Sequence, residues 1–361
     1  MEDVVNAWKG RRVSITGHTG FKGGWLALWL AKHGAQVSGY ALEPTTDPNL
    51  FTTASVATVL EDIRGDILHL KKLESSLAEF RPEVVFHLAA QPILRRSYID
   101  PLGTYATNVM GTANVMEAVR KITGVRAVIC ITTDKVYEDQ YRPRPYRETD
   151  RLGGYDPYSS SKACAELVVA AYRSSFFPVD RLDEHGVGAA TARAGNVIGG
   201  GDWGEDRLIP DLIRGFRAKQ PVLIRRPKAV RPWQHVLEPL HGYIKLAERL
   251  LAGDSTVSSS FNFGPNDDDA WTVEQIATKL AGMWGDGASW YCDGAPTPHE
   301  THTLRVDSTR AREELGWKPH LPIETALDWT MSWYRGWQRG SDMKQETLAQ
   351  IEEYERLVES A

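Results

Sequence analysis

Residues 13–23 read Val-Ser-Ile-Thr-Gly-His-Thr-Gly-Phe-Lys-Gly, and this stretch decides the fold. A short apolar strand signal, Val13–Ile15, is followed directly by Gly17, Gly20 and Gly23, where a helix begins. Glycine permits a tight turn and a close approach of backbone to phosphate, and a helix N-terminus offers free N–H groups with partial positive charge. The stretch therefore predicts a dinucleotide-binding turn between a strand and a helix. The alternative is an ordinary tight turn.

Residues beyond this turn extend the same prediction. Glu43 follows Gly23 by 20 positions, a spacing at which an acid can bind the ribose of NAD, but it is equally compatible with a surface loop. Asp66 lies where a short strand should end near an adenine, or it is a plain turn aspartate. Leu88–Ala90 closes another strand with small residues, which let backbone pass close to a ligand but also suit tight helix packing.

The first half of the chain alternates strand-like and helix-like segments, which is typical of a parallel sheet with helices on both faces. We therefore predict an α/β fold: a Rossmann-like doubly wound parallel sheet with a smaller α/β C-terminal substrate domain. The predicted strands are Val13–Ile15, Gln36–Tyr40, Val84–Leu88 and Ala127–Thr132, and the predicted long helices are Thr104–Arg120 and Pro157–Tyr172.

After about Arg193 the segments become shorter and richer in glycine, proline, tryptophan and arginine, which indicates a second domain. The polar, helix-prone tail is expected to form a surface helix. The predicted division is an NAD-binding domain over 1–192 with a return of the chain near 231–262, a substrate domain over 193–230 and 263–340, and a helical tail over 341–361.

Composition narrows the function classes. The chain has 361 residues, 42% of them apolar, and a net charge of −5, so it has a sizeable core and global charge does not favour nucleic acid or anionic membrane. No apolar run is long enough to span a bilayer, and the N-terminal residues lack a signal core. Three widely spaced cysteines, Cys130, Cys164 and Cys292, fit a reducing compartment, with Cys130 expected in the core. We therefore expect a cytoplasmic protein.

A proton-transfer group is predicted from two short motifs. Tyr158 and Lys162 are one helical turn apart and share a face. A nearby ammonium and a positive nicotinamide ring should together lower the pKa of the tyrosine from its ordinary value near 10. Thr133 and Asp134 follow the Ala127–Thr132 strand, where α/β sheets place ligands. Thr133 can hydrogen-bond a substrate hydroxyl, and Asp134 can donate a proton if burial raises its pKa. Each motif also occurs by chance, as helix surface or loop.

Taken together, these residues resemble the extended short-chain dehydrogenase/reductase superfamily from Arg12 to about Trp337, and within it the family of CDP-glucose 4,6-dehydratases. The resemblance implies a fold of the predicted kind and a homodimer formed through the two long helices. The motifs that carry it are Gly17–Gly23, Leu88–Pro92, Asn108 with Gly111–Thr112, Thr133–Tyr137, Tyr158 with Lys162, Arg193–Trp203, Arg231–Val236 and Leu315–Trp317.

The resemblance also implies a reaction. Tyr158 is the base for oxidation at C4 of the glucose of CDP-glucose by NAD, and Thr133 helps to position O4. Asp134 gives a proton to O6 as water leaves across C5–C6, and the hydride returns to C6, so the product is a 4-keto-6-deoxy sugar nucleotide. Related dTDP-glucose enzymes carry glutamate where this chain has Lys135. That lysine either takes the C5 proton itself or stabilises the enolate by its charge.

Site residues follow from the motifs and the resemblance together. No metal is expected, because His299, Glu300 and His302 have no usual ligand spacing and fit a polar loop better. The predicted cofactor-binding residues are Gly17, Thr19, Gly20, Phe21, Gly23, Asp66, Ile67, Leu88, Ala89, Ala90, Thr107, Tyr158 and Lys162. The predicted catalytic residues are Thr133, Asp134, Lys135, Tyr158 and Lys162, and the predicted substrate-binding residues are Gln91, Asn196, Arg207, Arg231, His235 and Arg305.

Two rival functions share part of this constellation. A sugar-nucleotide 4-epimerase would use Thr133, Tyr158 and Lys162 but has no need of Asp134 as an acid. A non-catalytic NAD-binding scaffold would need none of the four.

Overall fold

The fold is built on a twisted sheet of parallel strands in a computed structural model that describes residues 7–138, 144–266, 269–295 and 304–361. Within these residues, seven strands form the sheet in the order β10-β6-β5-β4-β1-β2-β3, and every neighbouring pair is parallel. Its strands are β1 (Arg12–Thr16), β2 (Gln36–Ala41), β3 (Glu61–Arg64), β4 (Val84–His87), β5 (Ala127–Ile131), β6 (Gly188–Ala194) and β10 (Ser260–Phe263).

The strand order reverses at β1, which has β2 on one side and β4 on the other. In an open parallel sheet this reversal leaves a crevice outside the carboxyl ends of the strands, and ligands bind there. The glycine turn after β1, the small residues after β4 and the Thr133–Asp134 pair after β5 all lie at this one edge. The sheet therefore brings together motifs that are more than 100 residues apart in the chain.

Helices cover both faces of the sheet, so the predicted doubly wound architecture is confirmed. The long helices on one face pack against a core that includes Leu26, Leu28 and Leu240, and those on the other face pack against Leu73, Leu77 and Val119. The first group is α1 (Phe21–Lys32) and α10 (Leu237–Leu251), and the second is α3 (Leu70–Phe80), α6 (Gly111–Lys121) and α7 (Pro157–Ser175).

Shorter elements fill the connections and the C-terminal half. Two small parallel pairs, β7 with β9 and β8 with β11, lie outside the main sheet. These strands are β7 (Val197–Ile198), β8 (Val222–Leu223), β9 (Gln234–His235) and β11 (Trp290–Tyr291). The remaining α-helices are α2 (Leu50–Thr53), α4 (Leu94–Ile99), α5 (Pro101–Tyr105), α8 (Leu182–His185), α9 (Leu208–Arg217), α11 (Val273–Trp284), α12 (Thr309–Leu315), α13 (Ile323–Gln338) and α14 (Met343–Ser360).

The chain returns to the sheet after its first excursion, because β10 pairs with β6 and α10 packs under β5 and β6. This return falls inside the predicted range 231–262 and its immediate continuation. The division into two domains stays a prediction. The part of the chain that the structure describes holds no helix long and apolar enough to cross a membrane.

The predicted helix over 104–120 is interrupted. Ala106–Met110 forms one turn of π-helix between α5 and α6. The side chain of Asn108 in this turn donates to the carbonyl of Gln91 at 3.1 Å and accepts from the Gln91 N–H at 2.8 Å. These contacts to a distant loop, which no local pattern reveals, accompany the wider turn. The second predicted helix is observed as α7, and Cys130 lies in the core as expected.

The tail forms a helix, as expected, but α14 buries one face rather than lying wholly on the surface. Tyr354 Oη donates to Glu238 Oε2 at 2.7 Å. The other carboxylate oxygen, Glu238 Oε1, accepts hydrogen bonds from the backbone N–H groups of His320 and Leu321. On the same helix, Glu355 accepts from Trp29 Nε1 and contacts the His33 ring, at 2.7 and 2.5 Å. The last helix is therefore tied to α10 and to the helix that follows the glycine turn.

Burial raises the pKa of Glu238 to about 7, whereas glutamate in an unfolded chain titrates near 4.3. Between these values the folded protein keeps a proton that the unfolded chain has lost, so stability falls as pH rises, by at most about 1.4 kcal/mol per pH unit. Glu238→Gln cannot titrate, and we expect it to flatten this dependence between pH 5 and 7, measured as the free energy of urea unfolding. Glu353→Gln, which removes an exposed carboxylate of α14, is the control. An unchanged slope in Glu238→Gln would contradict the assignment.

Candidate active site

The glycine turn after β1 is shaped by backbone contacts that exclude side chains. Gly17 has φ +82°, and a Cβ there would lie 2.7 Å from the N of Ala89. A Cβ at Gly23 would lie 2.2 Å from the carbonyl oxygen of Gly17. Gly20 begins α1 without a side-chain cap, so the first N–H groups of the helix are not satisfied by a capping side chain. The turn therefore has the backbone shape and free donors that suit a pyrophosphate.

The other predicted cofactor residues surround this turn. Thr19 Oγ1 donates to the carbonyl of Leu42 at 3.0 Å, and Asp66 Oδ1 accepts the N–H of Leu68 at 2.9 Å, so Asp66 does act within a turn. Ile67 is buried against Gly111. Phe21, Leu88, Ala89, Ala90 and Thr107 are partly buried at the same edge.

The acidic residue beneath the turn is Asp62 rather than Glu43. The His18 ring is fully buried, and its Nε2 lies 2.8 Å from Asp62 Oδ1, while its Nδ1 is buried without a partner. Burial lowers the pKa of His18, and Asp62 opposes this shift. Glu43 lies on the surface, 3.4 Å from Arg64. The sequence analysis quoted His18 as part of the turn but missed its pairing with Asp62. The pairing joins the turn after β1 to β3, which is far away in the sequence.

The segment Thr133–Val136, named the catalytic segment for its predicted role, follows β5. Thr133 caps a short 3-10 turn formed by Asp134–Val136. Thr133 and Asp134 are 5% and 1% exposed. Thr133 Oγ1 donates to Asp134 Oδ1 at 3.0 Å and lies within hydrogen-bonding reach of the Tyr158 hydroxyl. The structure thus brings together Thr133, Asp134 and Tyr158, which belong to different elements.

The Asp134 carboxyl group lies against the backbone of Gly195. Its Oδ2 is buried without a hydrogen-bond partner, and a Cβ added to Gly195 would lie 1.7 Å from that atom. Burial raises the pKa of Asp134, and the nearby Lys135, Thr133 and Arg231 lower it in part. A carboxyl group in this position favours its protonated form, which is what a proton donor requires.

Tyr158 lies in the first turn of α7, whose start is fixed by Asp156. The Asp156 carboxylate accepts the N–H of Ser159 at 2.8 Å, and Pro157 occupies the first helical position. Burial raises the pKa of Tyr158 to about 12 in the protein alone. The predicted lowering, which depends also on the nicotinamide ring, stays a prediction. Lys162, one turn on, donates to the carbonyl of Ile131 at 3.0 Å, and burial lowers its own pKa to about 8.

Sequence reasoning missed Lys22, which lies in α1 just beyond the glycine turn. Burial lowers the pKa of Lys22 to about 7, and the charges of Lys162 and Arg207 add to the effect, while Asp134 opposes it. These couplings place the Lys22 ammonium beside the catalytic group. The only signal in the sequence was its position inside the quoted motif.

The predicted substrate-binding residues fall into two groups. Arg207 Nη1 donates to both carboxylate oxygens of Asp202, at 2.9 and 3.0 Å, and the side chain interacts with Tyr158. The buried Arg231 acts on Asp134, so both arginines are near the predicted catalytic group. Asn196 lies two residues beyond the end of β6 and has φ +36°. His235 is fully buried, with its ring edge-on to Trp25 and Trp329 at 5.9 and 5.7 Å.

Two further predicted residues make local contacts. The Gln91 side chain donates to Thr104 Oγ1 and accepts from the N–H of Ile93, at 2.9 and 2.6 Å, so both its polar ends are used within the protein. Arg305 is half-buried, and its carbonyl accepts the N–H of Tyr146 at 2.9 Å. His235 Nε2 is buried without a hydrogen-bond partner, and the roles of His235 and Gln91 in binding substrate stay predictions.

No cluster of metal-ligating side chains occurs in the ranges that the structure describes. His299, Glu300 and His302 lie outside those ranges. The geometry is that of a dinucleotide turn beside a Thr-Asp-Tyr-Lys group and a set of arginines.

Known proteins are similar to this chain in sequence. The family model described as GDP-mannose 4,6 dehydratase matches residues 15–330. A CDP-glucose 4,6-dehydratase of Salmonella typhimurium is 51% identical over 349 residues, 97% of this chain and 97% of the relative. A UDP-glucose 4-epimerase of Mycolicibacterium smegmatis is 26% identical, covering 90% of this chain and 98% of the relative.

The fold is shared with solved structures. DesIV, a dTDP-glucose 4,6-dehydratase from Streptomyces venezuelae solved with NAD and TYD bound, superposes with a TM-score of 0.77 at 22% identity, over 92% of this chain and 99% of that one. The predicted resemblance to 4,6-dehydratases is confirmed by the Salmonella relative. The chain belongs to the GDP-mannose 4,6-dehydratase family.

Proposed function

We propose that this protein is an NAD-dependent hydro-lyase that converts CDP-D-glucose to CDP-4-keto-6-deoxy-D-glucose. The observation that carries the proposal is the buried Asp134 carboxyl group, which lies beside Thr133 and Tyr158 in a chain 51% identical to a CDP-glucose 4,6-dehydratase. An acid at this position has a use in eliminating water and none in a 4-epimerisation. The comparison supports the nucleotide, and the side chains support the reaction type.

The cofactor site fits NAD. The bare N-terminus of α1 and the glycines of the turn would hold its pyrophosphate, and Tyr158 and Lys162 would lie at its nicotinamide ribose. When bound, NAD supplies a hydride acceptor for C4 and a hydride donor for C6, and its oxidised ring adds a positive charge. That charge, with Lys162, would oppose the burial that raises the Tyr158 pKa in the protein alone.

The chain's own groups handle the protons. Tyr158 accepts the proton of O4 while Thr133 hydrogen-bonds the same oxygen, and together with the loss of the C4 hydride this leaves a ketone at C4. The ketone acidifies the C5–H bond. Asp134 then gives its proton to O6 as the C6–O6 bond breaks, the C5 proton passes to a water molecule or another basic group, and water leaves. A proton returns to C5 when C6 is reduced.

Lys135 stands where the related dTDP-glucose enzymes have glutamate. Its backbone N–H lies 3.4 Å from Thr133 Oγ1, and its side chain acts on the Asp134 carboxyl. A cation at this point stabilises the enolate that forms as C5 loses its proton. We therefore assign Lys135 to charge stabilisation rather than to proton removal.

Arginines supply the binding energy for the diphosphate. Arg207 and Arg231 lie next to the catalytic group, and their planar guanidinium groups suit phosphate oxygens. Arg305 and Asn196 remain candidates on the resemblance. His235 likewise remains a candidate on the resemblance.

The function is tested by incubating the protein with NAD and, separately, the CDP-, dTDP-, GDP- and UDP-glucoses, and by measuring product masses. We expect CDP-glucose to lose the mass of one water and to react fastest. Product with unchanged mass would establish the epimerase, and absence of any product with bound NAD would favour the scaffold. Faster dehydration of another glucose would overturn the assignment of the base.

Asp134→Asn should separate the two halves of the reaction. Tyr158 and Thr133 remain, so oxidation at C4 proceeds, but the amide gives no proton to O6 and the reduced cofactor accumulates, seen by its absorbance. We expect product formation to fall by about 10²- to 10⁴-fold. Tyr158→Phe is the matched comparison, because it should block oxidation itself and leave the cofactor oxidised.

Gly195→Ala gives a second route to the same outcome, since the added methyl group would occupy the space of Asp134 Oδ2. It should resemble Asp134→Asn. If Asp134→Asn instead forms product at the wild-type rate without reduced cofactor, Asp134 is not the acid.

We also propose a cytoplasmic homodimer formed through α5 to α7. Large apolar side chains on and beside these helices are exposed: Ile99 by 84%, Leu102 by 81%, Leu167 by 58% and Met110 by 57%. Single exposed apolar residues are ordinary, but a cluster on neighbouring helices indicates a covered face. The location rests on three cysteines that form no disulfide.

Leu102→Glu with Leu167→Glu should convert the dimer to a monomer, because two charges on each protomer would be buried in the interface. Sedimentation velocity measures the mass. Tyr291→Glu, which alters an exposed aromatic residue on β11, should leave the mass unchanged. A double variant that sediments as the wild-type dimer would exclude this interface.

A further inference from the structure

A buried ion pair, Glu166 with Arg193, lies directly behind the catalytic segment. The two side chains are 2% and 3% exposed, and Arg193 Nη2 lies 2.8 Å from Glu166 Oε2. Glu166 is on α7, one turn beyond Lys162 and two turns beyond Tyr158, so the three side chains share one face of the helix. Arg193 is the penultimate residue of β6.

The pair contacts the catalytic segment at both ends. Glu166 Oε1 accepts from Thr132 Oγ1 at 2.5 Å, immediately before Thr133. Arg193 Nη1 donates to Tyr137 Oη at 2.9 Å, immediately after the 3-10 turn. The residues between these two contacts are the ones assigned to catalysis.

The contacts continue into the sheet. Glu166 Oε2 also accepts from Thr191 Oγ1 at 2.7 Å, and Tyr137 Oη donates to Asn262 Oδ1 at 2.6 Å. Asn262 in turn donates to the carbonyls of Tyr146 and Asp307. One carboxylate and one guanidinium therefore join α7, the end of β5, β6 and β10.

Stability alone gives a poor account of this pair. Burying two charges costs free energy that their attraction repays only in part, and apolar replacements of similar volume are often as stable or more so. The Nε of Arg193 is also buried without a partner, which adds a further cost. What the pair does provide is a fixed geometry, because each charged group accepts or donates several directed hydrogen bonds.

We propose that Glu166 and Arg193 are positioning residues that fix Thr133 and Asp134 relative to Tyr158 and Lys162. A shift of about 1 Å in such a group can slow a reaction by about 10²-fold even when the shifted residue binds no substrate. The pair touches neither the cofactor turn nor the arginines, so ligand affinity should be spared. The inference rests on the proposed function, since it concerns the rate of that reaction.

Glu166 also acts on the charge of Lys162. Burial lowers the pKa of Lys162, and the charge of Glu166 and the Cys130 thiol act against that shift. Lys162 also faces Lys22 from α1 and the neutral His87 from β4. Glu166 thus helps Lys162 to keep its proton.

The test replaces the whole pair by apolar residues, Glu166→Leu with Arg193→Met, so that no unpaired charge is left. We expect a folded protein with Tm near the wild-type value, KM and the Kd for NAD within about threefold, and kcat lower by about 10²-fold. A general loss of stability of the folded protein would not be expected to lower kcat while leaving KM and the Kd for NAD unchanged. Glu238→Gln, in an equally buried carboxylate remote from the site, should leave kcat unchanged.

Tyr137→Phe keeps the test decisive if the double variant does not fold. It removes only the hydroxyl group that links Arg193 to Asn262, and we expect kcat to fall by about tenfold, the effect of a lost positioning hydrogen bond, with Tm and NAD affinity retained. Wild-type kcat in either folded variant overturns the positioning role. Failure of the wild-type protein to dehydrate CDP-glucose would instead overturn the proposed function, so the two failures are distinguishable.

Discussion

The arrangement of the site depends on the buried Glu166 carboxylate and the ion pair that it forms with Arg193. Glu166 lies on α7, and it accepts hydrogen bonds from β6 and from the residue that precedes the catalytic segment. Its ionisation is favoured by Arg193 although burial acts against it, and its pKa is lowered as a result. The same helix carries Tyr158 and Lys162, so one buried charge sets the relation between two otherwise separate groups of catalytic residues.

A second constraint is the absence of side chains at points where backbones meet. Gly17 lies on the backbone of Ala89, which brings the turn after β1 into contact with the loop after β4 at the switch point of the sheet. Gly195 lies against the Asp134 carboxyl group in the same way. These contacts make the crevice narrow, so the acid and the dinucleotide turn occupy one continuous edge. The arginines then close that edge from the C-terminal half of the chain.

Local spacing explains what the sequence could predict. The glycine turn and the Tyr158/Lys162 pair are each contained within one element and its boundary, so their geometry follows from helix and turn rules. The Glu166–Arg193 pair and the Lys22 coupling could not be predicted, because they depend on which side chains the tertiary packing brings together. His235 and Tyr158 show what spacing leaves out. A motif does not give the direction of a side chain, and the His235 ring packs between Trp25 and Trp329. Spacing also reports the charge of Lys162 and not the loss of water, which raises the pKa of Tyr158 in the protein alone.

The contact between α14 and α1 has a consequence for biosynthesis. A ribosome makes a chain from its N-terminus, so the glycine turn emerges well before α14. Yet Trp29 and His33, on the helix that follows the turn, find their partner only in Glu355, more than 320 residues later. Contacts of such sequence separation form slowly, since a long loop must close first. The helix that follows the glycine turn therefore reaches its final packing only after Glu355 has left the ribosome.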